Sequence, residues 1–483
     1  MRWGSVRRMH GASGPAVVRS GGLPWRACSR PLDDRARAAV AASVAKLLGW
    51  QRTLGRWPRA PGVPEATPFV SLYAGGRLRG CFGSTEGDAG DQLQRAFLSA
   101  LSDPRFGGIQ PSERDGLVAE VSYLVGPRRV SHAELRRRFE LGVHGLAAAS
   151  PGRGPVLLLP EVARDQRADL GGLLRALSAK AGLDSLESAE LFLFSAESVR
   201  VRGGVVARAR PRDPVDAAGR WLAGRVEPDG AVAFAVDARA RTTFPQGVFR
   251  HGRAAVVIHA LSAHGGHPGV AKRASRWLEE QILDALSGRR VPDFPDDPAQ
   301  VAGTVALAVL AGLDLERELG GLSKRRELRG NAWHAAQVVA AMGPHAPALL
   351  WQACVRDLEA RPWAPWTVLA ARARGDADVV QRAERALVDS IRKRAPYQGA
   401  ADVTPVPEVA LTAAVAEALG GSRSRAAQAA RKRAQSFLLR AQLLGDRIPA
   451  ALDPMLSDGA FPLSPILDVL RADVTGHALL ALL

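Results

Sequence analysis

A chain of 483 residues exceeds what one hydrophobic core usually serves, so two or more domains are expected. Hydrophobic residues make up 47% of it and aromatics only 5%, a helix-leaning globular texture with no apolar run of membrane-spanning length. The formal charge of +17 invites a nucleic-acid reading, but it is scattered in small groups such as Arg128–Arg129, Arg136–Arg138 and Arg431–Arg433.

Phosphate binding wants that charge focused on one face, and only six of the 65 basic residues are lysines, as codon bias alone would give. Nucleic acid is therefore not the expected partner, nor is a membrane. The three cysteines, Cys28, Cys81 and Cys354, form no C-x-x-C pair. That pattern argues for a reducing, cytoplasmic setting, against a disulfide framework and against a zinc site, so no metal and no cofactor are assigned.

Residues 1–30 carry six arginines but no continuous apolar segment, and read as a disordered leader rather than a secretory signal. In 31–50, Val40, Val44, Leu47 and Leu48 recur at helical spacing behind Asp33 and Asp34, and Gly49 stops the helix. After a Pro/Gly-rich loop, Phe69–Tyr73 and Arg77–Arg79 form a hairpin around Ala74-Gly75-Gly76. A second helix carries Leu93, Phe97 and Leu101 and ends at Asp103-Pro104. A strand over 118–125, a short basic helix over 131–140, strands over 142–149 and 156–159, a helix over 173–181 and a strand over 190–201 complete an α+β domain spanning 31–203.

Residues 204–214 read as a linker. From 215 to 483 helical patterns follow one another with short Gly/Pro/Asp loops and almost no β signal, giving an all-α domain. Its ends echo each other. Trp221-Leu222, Asp229-Gly230-Ala231 and His259-Ala260-Leu261 are answered by Leu443-Leu444, Asp458-Gly459-Ala460 and His477-Ala478-Leu479. A unit that opens and closes the domain favours paired helices shut into an α/α toroid.

Several segments of the first domain carry a resemblance. F-V-S-L-Y-A-G-G-R-L-R-G-C-F-G-S at 69–84, D-P-R-F at 103–106, A-E-V-S-Y-L at 119–124, G-V-H-G-L at 142–146 and L-L-L-P-E-V-A at 157–163 are similar, in order and spacing, to the AMMECR domain family. The resemblance covers roughly residues 33–203. It implies an α+β domain in which Arg79, Gly80, Cys81 and Gly83 line a surface cleft, and a place beside Memo-type and radical-SAM proteins. The helical half resembles α/α-toroid proteins in architecture only, which licenses no activity.

The residues suggest two classes of function. In one, the cleft around Cys81 and Arg79 binds a small anionic ligand or a protein partner, with Arg79 and Arg105 gripping a carboxylate or phosphate. In the other, an enzyme uses Cys81 as nucleophile, His144 as its base and Glu120 to orient the imidazole. A third possibility leaves Cys81 as a small packed hydrophobe and Asp103 as the partner of Arg105 or Arg79 that locks the corner. In the helical half, four of the ten tryptophans fall between Asn331 and Trp366. There Trp333, His334 and Gln337 are the candidates for a pocket in the toroid mouth.

Overall fold

The computed structural model describes residues 17–19, 23–49, 62–202, 205–206, 213–247, 249–361, 364–402, 406–465 and 467–483. The chain divides into two compact units, Met1–Arg208 and Ala209–Leu483. Gly203, Gly204 and most of the expected linker lie outside the described residues, as does Trp363.

In the first unit, β1 (Val17–Arg19) and β2 (Arg26–Cys28) precede α1 (Asp34–Gly49). The hairpin is β3 (Pro68–Ala74) and β4 (Arg77–Gly83), followed by α2 (Ala89–Leu101). Then come β5 (Val118–Val130), α3 (His132–Arg138), β6 (His144–Ser150) and β7 (Arg153–Leu158). Next are α4 (Glu161–Asp165), α5 (Leu170–Ala181), β8 (Glu190–Arg202) and β9 (Val205–Val206). All nine strands join one sheet, whose central run is β4-β3-β5-β8-β6-β7. The α+β expectation holds. The expected leader, however, contributes β1 and β2 to the sheet and places Leu23, Ala27 and Cys28 in the core.

Alternation decides what each face of the sheet meets. Val70 and Leu72 of β3, Ala119, Val121 and Tyr123 of β5, and Val199 and Val201 of β8 pack with α1 and α2 in one apolar core. Phe69, Leu124, Phe192 and Phe194 help build a second core. The opposite-facing positions between them are polar: Ser71 and Tyr73, Glu120 and Ser122, Ser198 and Arg200. Gly80 lets β4 lie against α2, because a Cβ there would overlap the carbonyl oxygen of Ala100.

The second unit is helix-rich. Its helices are α6 (Pro214–Ala223), α7 (Arg250–His264), α8 (Pro268–Leu286), α9 (Pro298–Leu310), α10 (Glu316–Leu322) and α11 (Ala332–Met342). They continue with α12 (Ala348–Ala360), α13 (Pro365–Arg374), α14 (Ala377–Ser390), α15 (Val409–Ala418), α16 (Arg425–Ala441), α17 (Pro454–Ser457) and α18 (Ala472–Leu482). Helix α7 packs on α9, α9 on α11, α11 on α13, α13 on α15, α15 on α18, and α18 returns to α7. Each helix between them packs on the member of that series before it: α8 on α7, α10 on α9, α12 on α11, α14 on α13 and α16 on α15.

The sequence explains which helix takes which place. In α9 eight residues are buried, seven of them the consecutive run Ala302–Ala308, as a helix touched on several sides requires. In α14 burial is confined to Val379, Ala383 and Leu387, one stripe at four-residue spacing. The all-α expectation needs one correction. Three short strands, β10 (Ala235–Asp237), β11 (Thr242–Phe244) and β12 (Val469–Arg471), form a small sheet. Three residues are too few to show alternation, so the all-α reading from 215 to 483 runs through all three strands. Among the described residues no helix is long and apolar enough to cross a membrane.

Candidate functional site

Cys81 stands on β4, and the register carries its position straight across the sheet. Cys81 pairs with Ser71, Ser71 with Glu120, and Glu120 with Arg200, so the four side chains share one face in a single row. Ser71 Oγ donates to the Cys81 sulfur at 3.3 Å. Glu120, 1% exposed, is ion-paired to Arg200 at 2.5 Å.

The D-P-R-F turn grips the cysteine by its backbone. The Cys81 N–H donates to Asp103 Oδ2 at 3.0 Å, and Arg105 Nη2 donates to the Cys81 carbonyl at 2.6 Å. Asp103 and Arg105 also bond each other through Nε and Nη2 at 2.9 and 2.6 Å. A buried carboxylate and its guanidinium thus satisfy the edge of β4 where, among the described residues, no further strand pairs with it. The Arg105 hydrogen bond holds the Asp103 carboxyl below its ordinary pKa. The Arg105 side chain stays 54% exposed, and its Nη1 makes no hydrogen bond among the described residues.

Cys81 is half-buried, and burial pushes its thiol pKa up. The Ser71 hydrogen bond and the nearby Lys180 and Arg105 cations oppose that rise, whereas the Glu161 carboxylate adds to it. Lys180, on α5, donates to the Leu157 carbonyl at 2.9 Å and has its ammonium pKa lowered by burial. Two cations of different elements therefore act on one thiol.

Helix α4 covers the polar row. Ser198 Oγ donates to Glu161 Oε1 at 3.2 Å and lies 2.8 Å from Ser122 Oγ. Burial, and then the charge of Glu120, push Glu161 up to about 7. One turn on, Asp165 accepts from the Tyr73 hydroxyl at 3.1 Å.

The remaining candidates lie elsewhere. His144 Nδ1 accepts the Glu140 N–H at 3.0 Å beside the Phe139 ring, and burial lowers its pKa to about 4. It is not among the groups that act on Cys81, and Glu120 is held by Arg200, so the expected Cys81–His144–Glu120 arrangement is not assembled. Arg79 is engaged inside the fold, with Glu113 at 2.7 Å and the carbonyls of Phe106 and Gly108 at 2.9 Å each. Gly80 faces α2, and Gly83 packs on the Phe69 ring. In the helical unit Trp333 is 38% exposed, while His334 Nδ1 and Gln337 Oε1 meet at 2.9 Å in the packing against Gly303 of α9 and Phe249.

The sequence alone does not single out Ser71, Lys180, Glu161 or Arg200. Glu161 stands inside the L-L-L-P-E-V-A segment, and Ser71 and Glu120 are the polar beats of otherwise apolar strands, which is the signal that could have found them. Arg200 needs the strand register, and Lys180 the packing of α5 on the sheet.

The same region carries the likeness to known proteins. Residues 35–199 match the AMMECR1 family. A protein of Methanosarcina mazei is 34% identical over 156 residues, 29% of this chain and 77% of that one. Protein TV1384 of Thermoplasma volcanium is 33% identical over 139 residues, 26% of this chain and 69% of its own length. Protein PH0010 of Pyrococcus horikoshii, solved as a crystal structure, is 24% identical, covering 35% of this chain and 93% of that one with a TM-score of 0.30. Through its N-terminal unit, the chain belongs to the AMMECR1 family.

Proposed function

We propose that the N-terminal unit is a binding module for a small molecule bearing a carboxylate or phosphate, seated beside Cys81 between Arg105 and Lys180. The observation that carries this reading is that two cations from different elements, Arg105 and Lys180, both act on one half-buried thiol, with Arg105 held by Asp103 so that its Nη1 is left over. A preorganised guanidinium presents its free donors at little entropic cost. Cys81 serves as a wall of this site rather than as a nucleophile, since burial pushes its thiol pKa up and, among the described residues, no imidazole is found to act on it.

A second reading is favoured by Glu161, a carboxyl of α4 whose pKa burial and the Glu120 charge push up and which accepts from the Ser198 hydroxyl, as a group that exchanges a proton would. In that reading the unit is an enzyme whose base is Glu161, and His144 has no part in it. For the helical unit, the cyclic packing order from α7 round to α18 supports an α/α toroid. So does the echo between Gly230 and Gly459, at φ +97° and +100°, each placing its backbone against a helix that packs on α7: α8 for Gly230 and α6 for Gly459.

Calorimetric titration of the full chain with inorganic phosphate, pyrophosphate, succinate and citrate tests the binding reading. One of these anions is expected to bind at a single site, and Lys180→Gln or Arg105→Gln to weaken it about tenfold, the worth of one charge-assisted hydrogen bond. Anion binding that ignores both substitutions, or none by any of the four, overturns it.

A further inference from the structure

The helical unit holds a cavity of about 210 Å³ that the Cys81 site does not involve. Eight of its eleven lining residues are apolar, among them Leu307, Leu310, Trp366, Leu369 and Leu480. The other three are His259, Glu417 and His477, contributed by α7, α15 and α18. These helices are consecutive in the packing order, since α15 touches α18 and α18 touches α7. The two histidines are the ones that the internal echo of the sequence pairs, each opening a His-Ala-Leu triplet.

The polar end is built rather than incidental. His477 Nδ1 lies 2.8 Å from Glu417 Oε2, and both side chains are only 17% exposed. Burial opposes the charge on His477, but Glu417 and then Asp473 more than restore it. Asp473 is in turn fixed by Arg471 at 2.5 Å and Arg253 at 3.6 Å. His259, close enough to feel both members of the pair, is held neutral chiefly by burial and makes no hydrogen bond among the described residues. The cavity thus has an apolar wall, an ion pair already neutral as a unit, and an imidazole free to donate or accept. Among the described residues no group of three His, Cys, Asp or Glu is arranged to hold a metal ion, which leaves these side chains as hydrogen-bonding groups.

We infer that this cavity binds a small, mainly apolar molecule carrying one neutral hydroxyl, whose oxygen is received by His259 and the Glu417–His477 pair. The volume sets the size class, because an apolar cavity of roughly 150 Å³ already accommodates benzene. The charge balance sets the head group. A hydroxyl can donate to the carboxylate and accept from an imidazole N–H, whereas an added full charge would be left without a counter-ion among apolar walls.

Phenol, benzene and benzoate, followed by ligand-observed NMR on the full chain, separate these terms. Phenol is expected to bind saturably and about tenfold more tightly than benzene or benzoate, the increment of one hydrogen bond to a charged group. Glu417→Gln should bring phenol close to benzene, and Ala340→Phe, which fills the cavity, should abolish both. Ala255→Phe fills it from another helix and replaces Ala340→Phe if that variant fails to fold. Absence of saturable phenol binding, equal affinity for phenol and benzene, or phenol binding that survives a filled cavity in a folded variant overturns the inference.

Discussion

Asp103 does more at the candidate site than its place in a turn suggests. One carboxylate receives the Cys81 N–H, the Arg105 N–H and two donors of the Arg105 guanidinium, so cysteine and arginine are oriented by the same group. Its folded pKa lies below the ordinary 3.8. A depressed carboxyl contributes stability above its unfolded pKa and loses it as pH falls through the folded value. Asp103→Asn is therefore expected to destabilise the protein at neutral pH by about 2 kcal/mol, by weakening a charged hydrogen-bonded pair, and to flatten its stability profile below pH of about 4. Denaturant melts across that range measure it, and an unchanged acid limb would contradict the assignment. The sequence makes Cys81, Arg105 and Asp103 visible as a motif. It leaves Lys180 and Glu161 hidden, because their nearness to the thiol arises from α5 and α4 crossing the sheet, a relation no local pattern encodes.

Elements show the same division between what is local and what is not. Long helices with one apolar stripe, such as α2 and α14, are legible because burial imposes a 3.6-residue period on them. Strands β5 and β8 are legible because an apolar core lies on one face and a polar row on the other. The strands β1 and β2, the helix α4 and the three strands of the small sheet, three to five residues each, pass unseen, since too few positions are available to set a period. The hairpin is legible in outline, yet its contact with α2 depends on Gly80, whose missing side chain admits the Ala100 carbonyl. Gly80→Ala is expected to cost about 3 kcal/mol by forcing β4 off α2. An unfolding midpoint equal to that of the parent protein would show that the two elements can separate freely.

At the scale of the whole molecule, the family likeness covers residues 35–199, and the helix-rich unit from Ala209 onward has its own core and its own cavity. The echo of His259 and His477 was readable as a repeat, but its consequence, two imidazoles on one cavity, required the fold. The formal charge of +17 also acts at this scale and draws anions to the entire surface, so a convincing test must tell a local site from a general field. Alkylation of Cys81 by anionic iodoacetate and by neutral iodoacetamide makes that distinction, with Cys28 and Cys354 held back by burial and pKa values of about 11 and about 12. If Arg105 and Lys180 form an anion seat beside the sulfur, the iodoacetate-to-iodoacetamide rate ratio at Cys81 will exceed that of free cysteine. It will fall in the Arg105→Gln/Lys180→Gln variant and persist in Lys324→Gln/Arg325→Gln, which removes the same charge from the other unit. A ratio equal to that of free cysteine, or one lowered equally by both double substitutions, would contradict the account.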